Sequence, residues 1–177
     1  MKNLRAIAKK ADHAIISSRL NSFAVMMTTD RTQRLTRISA VLKKLPEGAY
    51  LIGTGPSTVG IIPLTVEEVV LGRSATPLEE PADTVVDYEI GDTMYLGPHE
   101  VSRVHAKILR TRDSRGLEFS ICDLESTCGT FVNGEQIDDK GVGRHLSHGD
   151  AISMGPSHTS TYLYVEVASD GTETSGA

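Results

Sequence analysis

Apolar residues fall into two textures along the chain, and the change comes at Pro46. Before it they recur at three- to four-residue intervals: Leu35, Ile38, Val41 or Leu42, and Leu45 in "LTRISAVLKKL", and Leu4, Ile7, Ala11 and Ile15 in "LRAIAKKADHAII". That spacing predicts amphipathic helices, with Arg37, Lys43 and Lys44 falling largely off the apolar stripe. Pro46 and Gly48 then stop the helical pattern. Beyond them the apolar runs are short and punctuated by Gly, Pro, Asp and Asn: "AYLIGTG", "GIIPLTV", "EVVLGR", "TMYLG", "RVHAKILR", "LEFSICDL", "TFVNG", "DAISMG" and "TYLYVEVA". Leu117, Phe119 and Ile121 alternate with Glu118, Ser120 and Cys122, and Leu163, Val165 and Val167 with Tyr162, Tyr164 and Glu166. Short alternating strands with frequent turn signals predict an all-β antiparallel β-sandwich over residues 46–168, preceded by a helical segment over 1–45. The acidic, proline-bearing stretch 74–92 reads mostly as a long loop, and the polar tail 169–177 as disordered.

Charge sharpens the division. Residues 1–45 carry ten Lys or Arg against Asp12 and Asp30, a net of +8, while the remainder of the chain sums to -13. A basic arm on an acidic body either folds back on it or meets something anionic, and the expectation is that the helices cover an exposed side of the sandwich. The Arg-rich, acid-poor start also fits a transit peptide. The longest apolar run, "VGIIPL", is interrupted by Pro63 and is too short to span a bilayer, and no secretory leader is evident. Two cysteines at C-x5-C spacing then read as free thiols of a cytoplasmic protein.

Candidate chemistry narrows by elimination. "GTGPSTVG" spaces Gly55 and Gly60 as a phosphate loop would, but Ile61 and Ile62 stand where Lys and Ser/Thr are required, so it reads as a hairpin loop. Cys122, Cys128, His145 and His148 lack a usual zinc spacing, and Ser102, His105 and Asp150 lack the elbow and oxyanion motif of a hydrolase. No metal, cofactor or catalytic group is expected. What remains is a set of anion-binding groups at turns: Arg73, Ser102 and Arg103, with Ser126, Thr127 and Thr130 around Gly129. Arginine offers a planar fork to phosphate oxygens, hydroxyls donate single hydrogen bonds, and glycine turns expose backbone N–H groups.

"LGR" at 71–73, "SRVHA" at 102–106, "DLESTCGTFVNG" at 123–134 and "LSHGDAISMG" at 146–155 resemble, in order and wording, the forkhead-associated (FHA) domain. The resemblance implies two packed sheets of about eleven strands that bind phosphothreonine peptides through loops at one end. By that likeness Arg73 clamps the phosphate, Ser102 donates its hydroxyl to it, Arg103 adds a contact, and Thr127 meets the phosphothreonine region. His105 resembles the family's loop-bracing histidine, and Gly72, Gly129, Asn133, Gly134, Gly149 and Asp150 its pocket-shaping turn residues. A phosphothreonine carries about -1.5 to -2 charges at neutral pH, so such donors separate it from the free hydroxyl. An acidic body around the site disfavours nucleic acid as the partner.

Two departures stand out. The interval between Arg73 and Ser102 is long for the family, and Cys128 occupies a position where the family usually has an asparagine that grips the peptide backbone. A thiol replaces those bonds poorly, at about 1–3 kcal/mol if the peptide groups go unpaired, or roughly ten- to hundredfold in affinity. The expected function is a non-enzymatic, phosphothreonine-dependent adaptor in kinase signalling. The alternatives are a phosphate-independent scaffold with a degenerate pocket, and a module regulated in cis by its own N-terminal arm, with Thr28 and Thr29, and also Thr76, as candidate phosphorylation sites.

Overall fold

In a computed structural model of the chain, the residues described are 30–54, 58, 60–73, 86–90, 99–114, 116–138 and 141–168. The first predicted helix, the "TMYLG" strand, Thr28, Thr29, Thr76 and the tail lie outside them. The helix α1 (Arg31–Leu42) starts at Asp30, whose carboxylate accepts the backbone N–H of Gln33 at 2.8 Å and caps the first turn. Eleven strands follow among the described residues: β1 (Gly48–Gly53), β2 (Ile61–Pro63), β3 (Glu68–Gly72), β4 (Tyr88–Glu89), β5 (Ala106–Asp113), β6 (Gly116–Asp123), β7 (Thr130–Val132), β8 (Glu135–Gln136), β9 (Arg144–His145), β10 (Ala151–Met154) and β11 (Thr161–Val167).

They form two sheets, ordered β2-β1-β11-β10-β7-β8 and β4-β3-β5-β6-β9. The strands β1 and β2 pair antiparallel, with the Gly53 N–H on the Gly60 carbonyl at 2.8 Å, while residues 55–57 and 59 of "GTGPSTVG", read as a hairpin loop, lie outside the described residues. One pairing departs from the antiparallel expectation: β4 runs parallel to β3, through Leu71↔Tyr88 and Gly72↔Glu89. It lies inside the stretch expected to be loop, where Asp87 takes the Val70 N–H on its carboxylate at 2.8 Å and the Ile90 N–H reaches the Gly72 carbonyl at 2.7 Å.

The core between the sheets holds Leu51, Leu71, Ala106, Ile108, Phe119, Ile121, Ile152, Tyr162 and Tyr164. A second core lies on the outer face of the six-stranded sheet, where Ile38, Val41 and Leu45 pack against Tyr50, Ile52, Ile61, Leu163 and Val165. The strand β11 is therefore buried on both faces, its tyrosines between the sheets and its Leu163 and Val165 under α1. Each aliphatic side chain so removed from water contributes about 1.5–3 kcal/mol. The helix covers the sheet as its apolar spacing predicts.

Strand directions bring one set of loops to one end of the sandwich. The ends of β3, β6 and β10 and the starts of β5, β7 and β11 meet there, and with them residues 73, 101–105, 124–129 and 155–160.

Candidate functional site

Two backbone approaches build the site. Gly72 ends β3 against the loop before β5, so closely that a Cβ on it would overlap the Arg103 carbonyl oxygen and lie 2.9 Å from the carbonyl carbon. Only glycine permits this contact. The contact sets Arg73 beside Ser102, the Arg73 N–H donating to the Ser102 carbonyl at 3.0 Å, while Arg73 Nε donates to the Val101 carbonyl at 3.1 Å. The stem of the half-buried Arg73 is thus fixed, and its terminal amino groups have no partner among the described residues. Arg103 is exposed next to it.

The fully buried His105 ties this loop to the next. Its Nδ1 accepts the Ser102 N–H at 2.9 Å, and so the proton resides on Nε2, which donates to the Gly129 carbonyl at 3.2 Å. That carbonyl also accepts the Gly155 N–H at 3.0 Å. Above the histidine, Ser102 Oγ accepts the Thr127 N–H at 3.0 Å and lies 3.4 Å from Thr127 Oγ1. The side chains of Arg73, Ser102 and Thr127 therefore stand on three loops joined by hydrogen bonds, with Cys128 half-buried beside them.

The turn 124–129 is organised from below by Asp123, which the sequence reading overlooked. Its buried carboxylate accepts the Ser126 N–H at 2.9 Å, the Ser126 hydroxyl at 2.6 Å and the Thr130 hydroxyl at 2.6 Å. The Ser126 hydroxyl in turn accepts the Gly129 N–H at 3.0 Å. Ser126 and Thr130 are buried and face inward, so of the three hydroxyls around Gly129 only that of Thr127 stays at the surface. Burial pushes the Asp123 carboxyl upward, but the hydroxyls of Ser126 and Thr130 and the Ser126 N–H outweigh it and hold the group below its ordinary value. The D-x-x-S spacing was the available signal for this local turn. Gly129 completes it with a φ of 82°.

The remaining turn residues sit elsewhere. Asn133 and Gly134 join β7 to β8 with φ of 54° and 85°, both positive as a type I′ turn requires. They lie at the far end of β7 from Gly129, as Gly149 and Asp150 do at the start of β10. There Asp150 Oδ1 accepts Asn133 Nδ2 at 2.7 Å and Arg31 Nε at 2.6 Å, and its Oδ2 accepts the Ser147 N–H at 2.8 Å. The buried Arg34 donates to Asn133 Oδ1 at 2.6 Å and to the Gly149 carbonyl at 3.1 Å. Asn133, Gly134, Gly149 and Asp150 thus brace the hairpin and seat α1, rather than shaping the loops around Ser102.

Asp150 is engaged there and His105 takes the backbone of Ser102, so no Ser-His-Asp relay forms. Both cysteines are free, and burial pushes the Cys122 thiol up. Among the described residues no group of three His, Cys, Asp or Glu is placed to hold a metal ion, and no helix is long and apolar enough to cross a membrane. A cleft of about 540 Å³, lined by Tyr50, Leu64, Arg110, Leu117, His148 and Glu166 among others, opens at the opposite end of the sandwich.

Residues 69–155 match the family model of the FHA domain. Among solved structures the fold is similar to full-length yeast Pml1p, with a TM-score of 0.54 at 15% identity, covering 78% of this chain and 94% of that one. It is similar also to the FHA domain of the CT664 protein from Chlamydia trachomatis, with a TM-score of 0.50 at 23% identity, covering 68% of this chain and 98% of that one. No curated protein matches the chain. With both the sequence match and the sandwich in hand, the chain contains an FHA domain.

Proposed function

We propose that the protein is a non-enzymatic adaptor that recognises phosphothreonine in a partner protein within a kinase-signalling pathway. In this reading Arg73 and Arg103 neutralise the phosphate, Ser102 donates its hydroxyl to it, and Thr127 and Cys128 contact the peptide beside it. Gly72, His105 and Gly129 hold those loops in register. The observation that carries the reading is the junction of Ser102 with Thr127, a 3.0 Å hydrogen bond between two loops that sets their hydroxyls 3.4 Å apart, the backbone of Ser102 being bonded in turn to that of Arg73. A guanidinium whose terminal N–H groups have no partner among the described residues, beside paired hydroxyls, suits a dianionic tetrahedral group far better than a neutral side chain.

A phosphothreonine-peptide library titrated against the full chain tests the reading. Selected peptides should bind, their unphosphorylated forms should not, and Arg73→Ala should abolish binding. Partner capture that survives both phosphatase treatment and Arg73→Ala would favour a phosphate-independent scaffold instead.

A further inference from the structure

We propose that Gln136 supplies the carboxamide that holds the main chain of the bound peptide, a role that rests on the phosphothreonine reading above and that the residue at 128, being cysteine, fills poorly. The strand β8 carries Gln136 directly opposite Phe131 of β7, so the two side chains share a face, and Gly129 is the neighbour two residues back along β7. The Gln136 side chain lies over Gly129: a Cβ built there would be 3.0 Å from the Gln136 carboxamide carbon and 3.3 Å from its Cγ. The missing side chain at 129 therefore leaves the space that this carboxamide occupies, one residue from Cys128 and two from Thr127.

Its chemistry suits the place. Gln136 is exposed and makes no hydrogen bond among the described residues, which leaves two N–H donors and a carbonyl acceptor available. An extended peptide presents N–H and C=O groups on its flank, and a single carboxamide can meet one of each. A thiol is weak in both capacities. The chain has five carboxamides, Asn3, Asn21, Gln33, Asn133 and Gln136. Of the three among the described residues, Gln33 belongs to α1 and Asn133 is committed to Arg34, Asp150 and the Ala151 N–H. Of these only Gln136 lies over Gly129, the residue that follows Thr127 and Cys128 in the turn.

Fluorescence-anisotropy titrations with the tightest phosphothreonine peptide from the library, on wild type, Gln136→Ala, Cys128→Asn and the double variant, test this. Gln136→Ala should weaken binding about tenfold, the loss of one well-placed hydrogen bond to a group left unpaired, with the melting temperature unchanged because the side chain is exposed. With Asn at 128 a second amide serves the same groups, and Gln136→Ala should then change the affinity by less than about threefold. Gln136→Ala within twofold of wild type, while Arg73→Ala still abolishes binding, overturns the inference and leaves the phosphothreonine reading standing. Equal losses in both backgrounds also overturn it, since Gln136 would then not substitute for the amide at 128. Wild type that binds no phosphothreonine peptide, or binds it independently of Arg73, sinks both.

Discussion

Alanine at position 72 adds one methyl carbon where the structure has room for none. That carbon would lie 2.9 Å from the Arg103 carbonyl carbon and 3.1 Å from the Val104 Cα, and would overlap the Arg103 oxygen outright. Carbon atoms rest at about 3.5–4.0 Å, so the loop must retreat by roughly 1 Å. The neighbour is backbone and cannot rotate away as a side chain would. Relieving an overpacked contact of this kind costs about 1–3 kcal/mol of stability. The functional loss should be larger than that stability loss implies, because Arg73 and Ser102 take their relative position from this approach, and a binding constellation tolerates displacements of only about 0.5 Å. Phosphopeptide affinity should fall at least tenfold, equivalent to about 1.4 kcal/mol, in protein still folded at the assay temperature. Chemical denaturation and anisotropy titration on the same sample separate the two effects. Gly72→Ala that binds like wild type would show that the register of the two loops does not depend on the glycine.

Two further outcomes follow from residues outside the rim. Ile38→Ala, which empties a fully buried position between α1 and the sheet, should destabilise the whole sandwich by about 2–5 kcal/mol in denaturant unfolding, whereas a detachable helix would lose only a few tenths. Asp123 should govern acid stability: its folded pKa is lowered, so its contribution is full above the ordinary value of 3.8 and is lost as pH falls through the folded value. Unfolding free energy measured from pH 6 to pH 2 should therefore fall at the acid end, and Asp123→Asn should flatten that fall, at the expense of stability at neutral pH.

The apolar spacing of α1 was legible because Leu35, Ile38 and Val41, with Leu45 just past its end, form a stripe that survives any detail of packing. The alternation of β11 was equally plain, but periodicity assigns residues to faces without saying what covers them. Tyr162 and Tyr164 turned out to face the inter-sheet core and Leu163 and Val165 to face α1, so both faces are buried. The strands β4, β8 and β9 are two residues each, too short to carry a period, and β4 is held by pairing with β3 that no local pattern encodes. At the site, Arg73, Ser102, Arg103 and Thr127 were chosen for their functional groups, and the loops do place them at one end. Ser126 and Thr130 have the same groups but are claimed by the buried carboxylate of Asp123, a competition that residue type alone does not reveal. Asn133 and Asp150 were assigned to the same pocket from their place in a motif, and only the direction of β7 and β10 separates them from it. Gln136 carries no motif at all; its position over Gly129 comes from hairpin register.

In the proposed function, one end of this sandwich recognises a phosphothreonine through Arg73 and its neighbours. Backbone amide chemical shifts of the labelled full chain, followed while a matched pair of phosphorylated and unphosphorylated peptides is added, test it most directly. Saturable shifts are expected with the phosphorylated peptide alone, concentrated at residues 72–73, 102–105 and 126–129 and absent in Arg73→Ala. Shifts that appear equally with both peptides, or that gather at the opposite end around Tyr50, Arg110 and Glu166, would contradict it.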